Sequence, residues 1–349
     1  MHRRGTWVTA AVGAALAVVL TATVAVPATA HRDSRARPQA GVKVPNDRSG
    51  LPWASGVFIP YAAPSQIEDF GNWRGAAPDV VLLYGARETW DQIVKPAWLK
   101  GWRDTAFTLV ISTAMLPEDG GTLAECARGD FDARWRRYGR DIAAAGVASR
   151  TVIRLGWEFN GLWVRWAAKN PAHYAQCWRR VHRSVELAAP KVRWDWCVNR
   201  SMSSVGIDPR RAYPGNKYVD IVGIDSFDGF PPATTEEGWE QQHSGAYGLE
   251  FWAAFARARG KGFSVPEWAV YPGTSWEGAG GGDNPAYIAR MFRFFRQNAD
   301  ILAYEVYFNE HDPYQGGALN LNPLSAEEYR DQIARMLRRD CQECVRPMG

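Results

Sequence analysis

Eight short apolar runs alternate with amphipathic helical stretches over most of this chain, a pattern that restricts it to βα units around a parallel sheet. The runs are Gly56 to Tyr61, Val80 to Tyr84, Ala106 to Ser112, Thr151 to Glu158, Val192 to Val198, Val219 to Phe227, Gly262 to Glu267 and Ile301 to Phe308. Helical periodicity follows at Pro64 to Trp73, Trp90 to Trp102, Phe131 to Ala145, Ala172 to Ala188, Gly248 to Arg259, Pro285 to Gln297 and Ser325 to Arg338, with a weak stretch at Asp208 to Tyr213. Eight strands with eight crossovers predict a single α/β domain, a (β/α)8 TIM barrel, with its site at the carboxyl ends of the strands. An open doubly wound sheet is the rival, but no Gly-rich phosphate loop follows the first strand. The glycine-rich stretch Gly278 to Gly282 predicts a loop.

The amino terminus predicts export. Arg3 and Arg4 precede an uncharged run from Gly5 to Val26, and Ala28-Thr29-Ala30 forms a small-residue cleavage site. Residues 1–30 are thus expected to be a signal peptide, 31–50 a polar flexible leader, and 51–349 the barrel domain. Retention of the run as a membrane anchor is the alternative, since it is long enough to span. Without Arg3 and Arg4 the 41 basic residues become 39 against 37 acidic ones, a net charge of +2. That balance calls for neither nucleic acid nor an anionic membrane, and the expected product is a secreted, extracellular monomer with no stable membrane association.

In an exported chain the five cysteines can form disulfides. Neighbouring crossovers would bring Cys126 and Cys177 together, Cys341 and Cys344 would close a small terminal loop, and Cys197 would remain a buried thiol. Zinc at Cys341 and Cys344 lacks a second ligand pair, so no metal is expected.

Two glutamates stand where a strand runs into a loop beside tryptophan: Glu158 after Trp157 and Glu267 before Trp268. A carboxyl group against aromatic rings has its charged form disfavoured, so the pair suggests a proton donor and a nucleophile, as in a glycosidase. Alternation along the strands would point Arg154, Gly156 and Glu158 inward with Trp157 outward, and would likewise place Phe263, Val265 and Glu267 together, and Asp225 with Phe227. So many inward charges must pair with one another at the barrel mouth. Trp163, Trp166, Trp196, Trp268 and Trp276 fall near the mouth, where they either stack on sugar rings or pack in the core. Asn160 and Asn199 are placed to bond sugar hydroxyls or to cap local structure, and Tyr84, Tyr307, Asn309 and His311 end strands two and eight as cleft wall.

The motif Arg154-Leu-Gly-Trp-Glu158-Phe-Asn-Gly161-Leu-Trp163, followed by Trp166, resembles the acid/base strand of glycoside hydrolase family 26, in clan A. Trp194-Asp-Trp196-Cys-Val-Asn199, Tyr218 to Asp225 and Ser264-Val-Pro-Glu267 resemble that family's later strands in the same order. The resemblance implies a secreted barrel that hydrolyses a polysaccharide, best known as β-1,4-mannan, with retention of configuration and no cofactor. It implies Glu158 as acid/base and Glu267 as nucleophile. Other β-glucans, xylans or a self-made exopolysaccharide are alternative substrates, and a catalytically weak glycan-binding barrel is an alternative function. Two positions depart from the pattern: Trp157 replaces a His, and Phe227 replaces a Tyr that hydrogen-bonds the nucleophile.

Overall fold

The computed structural model of the chain describes residues 42–200, 204–273, 280–312 and 316–338. The expected signal peptide, Trp276, Cys341 and Cys344 lie outside the described residues.

Eight parallel strands close into a barrel in sequence order. They are β1 Ala54–Phe58, β2 Val80–Tyr84, β3 Thr108–Thr113, β4 Thr151–Leu155, β5 Arg193–Asn199, β6 Ile221–Phe227, β7 Gly262–Ala269 and β8 Leu302–Phe308. Closure is made by β1 on β8, with Ala54 opposite Tyr304 and Phe58 opposite Phe308.

The crossovers carry α1 Pro64–Arg74, α2 Trp90–Val94, α3 Leu123–Arg128, α4 Asp132–Ala144, α5 Pro171–Glu186, α6 Glu236–His243, α7 Leu249–Arg257, α8 Pro285–Gln297 and α9 Pro323–Leu337. Proline at the first helical position and a preceding side-chain cap start α5, where the Asn170 side chain accepts from the Ala172 and His173 amides. The same device, Asn284 before Pro285, starts α8. Pro96 divides the helix expected over Trp90 to Trp102 into α2 and a 3-10 turn at Ala97–Trp102, because proline removes an amide donor and clashes with the preceding turn. Two helices were not anticipated: α3, which carries Cys126, and α6.

Inside the barrel the amino-terminal end is apolar, with Ala54, Val80, Val110, Val152 and Ile221 packed together, and Val44 joins this cluster. Residues 42–50, expected to belong to the leader, are thus part of the barrel's packing. Lys43 Nζ donates to the carbonyls of Ala299 at 2.5 Å and Leu302 at 3.1 Å. The larger core lies between barrel and helices and holds most of the bulky rings, among them Trp135, Trp178, Trp196, Trp252 and Trp268.

Cys126 of α3 and Cys177 of α5 form a disulfide across 51 residues, and Cys197 is a buried thiol, both as expected. A loop of that length gives a chain-entropy stabilisation of about 4 kcal/mol. Replacing both cysteines with serine should lower the urea midpoint by an amount equivalent to at most ~4 kcal/mol; an unchanged midpoint would show that the bridge does not constrain the unfolded chain.

Candidate active site

Arg154, in β4, points into the barrel and is fully buried. Its Nη2 bonds Asp225 of β6, and its Nη1 donates to Glu267 of β7 at 2.5 Å and to Ser112 of β3 at 2.9 Å. An unpaired guanidinium here would cost several kcal/mol, and two carboxylates from β6 and β7 with a hydroxyl from β3 offset that cost. Tyr84 of β2 donates its hydroxyl to the same Glu267 oxygen, Oε1.

Glu158 reaches this cluster by a different route. The strand ends at Leu155, and Gly156 and Glu158 then take left-handed backbone with φ of 50° and 51°. That conformation is uncommon for a residue with a side chain, and the Glu158 amide is fixed by donating to the Cys197 carbonyl at 3.1 Å. Its carboxylate accepts from Asn199 Nδ2 at 2.5 Å and from Trp163 Nε1 at 2.9 Å. Trp163 lies back across Gly161, where an added Cβ would stand 2.3 Å from the indole. The glycine therefore clears the space that lets the tryptophan reach Glu158.

Carboxylate oxygens of Glu158, Asp225 and Glu267 all lie within 4.8 Å of one another. Such a trio could share a cation, and Arg154 supplies positive charge to two of its members. Burial raises the Glu158 pKa above the ordinary glutamate range and the Glu267 charge adds to this, while the Asn199 and Trp163 donors pull against it. Burial also pushes Asp225 well up, outweighing the pull of Arg154. Deeper in the barrel Asp195 is raised to about 6 by burial, although Ser264 Oγ and Tyr304 OH donate to its Oδ2 at 2.6 and 2.5 Å. The chemistry available is a glutamic acid of raised pKa facing a glutamate clamped by an arginine and a phenol.

Residues 147–268, which include both glutamates, match the family model for glycosyl hydrolase family 26. The match runs from just before β4 into β7, and the chain is a hydrolase of O-glycosyl bonds. No curated protein sequence matches it. Its fold is shared with an endo-β-1,4-mannanase of Cellulomonas fimi, solved as a double mutant, at 17% identity and a TM-score of 0.59, over 83% of this chain and 72% of the other. The catalytic domain of a Bacillus sp. JAMB-750 GH26 endo-β-1,4-mannanase shows 16% identity and a TM-score of 0.59, over 86% and 90%. A GH26 β-mannanase from Bacteroides ovatus shows 15% and 0.58, over 83% and 90%.

In this hydrolase several expected sugar contacts are placed elsewhere. Trp166, Trp196, Trp268 and Tyr307 are fully buried. Trp166 bonds the Trp157 carbonyl, Trp196 packs on Phe159 and Trp252, Trp268 bonds Glu305 beneath α8, and the Tyr307 hydroxyl bonds the Gly317 carbonyl. None of these rings can meet a sugar face. Arg154 and Asp225 lie beneath the cleft surface, with side chains 0% exposed, and so support the site from below. Asn160 is also buried and exchanges hydrogen bonds with the Asn199 backbone, positioning Asn199. Asn309 is buried and accepts from the Leu319 amide.

Trp163, 57% exposed, stands open at the mouth, and the half-buried Phe227 contacts Tyr271 and Phe308. Trp157 was expected to face the helices; the left-handed turn at Gly156 instead brings its ring edge-on to Tyr84 at 5.5 Å and near Arg154. In β7 the inward residues are Ser264 and Glu267, with Phe263 packed outward on Phe294 of α8, because the pairing with β8 shifts register between Val265 and Trp268. The Tyr84–Glu267 bond and the Asp195–Ser264–Tyr304 group escaped sequence reasoning.

Trp163→Phe keeps a ring but removes the donor to Glu158, so the Glu158 pKa should rise further above its ordinary range. Carboxyl carbon NMR titration, assigned with Glu158→Gln, reads this directly. An unchanged or lower value would show that the indole does not stabilise the ionised form.

Proposed function

We propose that this chain is a secreted, retaining endo-β-glycanase that acts on β-1,4-mannan by a two-step displacement. The carrying observation is the approach of Glu158 and Glu267, whose carboxylate oxygens come within 4.8 Å of each other. Retaining glycosidases hold their carboxyl groups about 5–5.5 Å apart, whereas inverting ones leave room for a water at roughly 6.5–9.5 Å.

In the first step Glu158 gives its proton to the glycosidic oxygen while Glu267 attacks the anomeric carbon; the bond from that carbon to the glycosidic oxygen breaks, the leaving sugar departs as an alcohol, and a glycosyl ester remains on Glu267. In the second, Glu158 takes a proton from water, the water oxygen bonds the anomeric carbon, and the ester electrons return to Glu267. The raised pKa of Glu158 suits it to start protonated. Arg154 Nη1 donates to the Glu267 carboxylate and so holds it in place for attack. The exposed ring of Trp163, beside Glu158, is placed to stack on a pyranose.

Mannan is the polysaccharide named for the solved structures that share the fold. Export is supported by the amino-terminal pattern of the sequence and by the Cys126–Cys177 disulfide, which suits an oxidising compartment. Among the described residues no helix is long and apolar enough to cross a membrane.

The purified protein should release reducing ends from mannan in preference to β-glucan or xylan. Glu267→Ala should abolish turnover of every substrate. Glu158→Ala should slow mannan hydrolysis by about 10²–10⁴-fold yet spare the first step on aryl glycosides with activated leaving groups. Equal loss on both substrate types would reject Glu158 as the acid, and activity surviving in Glu267→Ala would reject the nucleophile.

A further inference from the structure

Glu267 receives two donors on one oxygen. Arg154 Nη1 and the Tyr84 hydroxyl both reach Oε1, and Arg154 Nη1 also lies 3.3 Å from the Tyr84 oxygen, closing a three-membered network. Among the described residues Oε2 takes no hydrogen bond, so the two carboxylate oxygens are chemically distinct.

The Tyr84 ring has little freedom to leave this position. It is packed edge-on against Phe58 at 5.1 Å, Trp157 at 5.5 Å and Phe308 at 6.5 Å, with interplanar angles of 77°, 72° and 86°. Burial, with the Glu267 charge adding to it, pushes its phenol well above the ordinary tyrosine range, so the hydroxyl keeps its proton and acts as a donor. Phe227, on the inward face of β6, brings no hydroxyl.

We infer that Tyr84 is a positioning residue for the nucleophile: with Arg154 it holds Oε1, assigns the attack to Oε2, and stabilises the carboxylate as it leaves in the second step. The inference rests on the proposed double displacement. Its consequence differs between the two steps. In the first, Glu267 loses charge on forming the ester, and a donor on Oε1 favours the starting carboxylate. In the second, the bond from the anomeric carbon to Oε2 breaks, its electron pair returns to Glu267, and the donor favours the product carboxylate. Removing the hydroxyl should therefore slow ester hydrolysis more than ester formation.

Tyr84→Phe removes one oxygen and leaves the ring packing. On an aryl β-glycoside whose leaving group makes ester hydrolysis limiting, kcat should fall by about 10- to 100-fold, KM should fall with it, and the intact glycosyl ester on Glu267 should accumulate in the mass spectrum. A thermal midpoint close to that of the parent separates this from unfolding, and 3-fluorotyrosine at position 84, which retains the donor, should keep kcat near the parent value. Unchanged kinetics, or a fall in kcat without a fall in KM and without trapped ester, would overturn the assignment. A parent protein that releases no aryl group and is not labelled at Glu267 would overturn the glycosidase reading itself, and this inference with it.

Discussion

A guanidinium inside a closed barrel is tolerable only if the surrounding strands bring it anions, and Arg154 sets that requirement for the structure. Breaking a buried pair of this kind typically costs about 3–5 kcal/mol, because the partner charge is left unpaired. Asp225 and Glu267 meet the requirement from β6 and β7, and Ser112 from β3. The arginine thus couples strands distant in sequence and fixes where the Glu267 carboxylate lies.

Position in the barrel then gives the two glutamates different surroundings. Glu267 is held by a strand and by ionic and phenolic donors, whereas Glu158 is held by a left-handed loop, an asparagine amide and an indole. A cation beside one and neutral donors beside the other make the two surroundings unlike, which suits the proposed acid and nucleophile.

Much of the barrel was legible because period-two alternation and apolar runs report burial directly. Alternation correctly turned Gly223 and Asp225 of β6 inward, and it placed Arg154 inside. It failed where the backbone leaves regular strand geometry. Glu158 reaches the site through two residues of positive φ, and the register shift in β7 turned Ser264 inward in place of Phe263 and Val265. Tryptophan was ambiguous for a different reason: a large apolar ring serves a core or a sugar equally well, and only Trp163 among the described candidates proved open. The Tyr84–Glu267 bond joins residues 183 positions apart, and no local pattern signals such a pairing.

The central claim is that the spacing of Glu158 and Glu267 imposes two displacements at one anomeric carbon, and the configuration of the first-formed product tests it most directly. Proton NMR of a manno-oligosaccharide digest, followed before mutarotation, should show the β-anomer appearing first. Initial release of the α-anomer would mean a single displacement by water and would contradict the account.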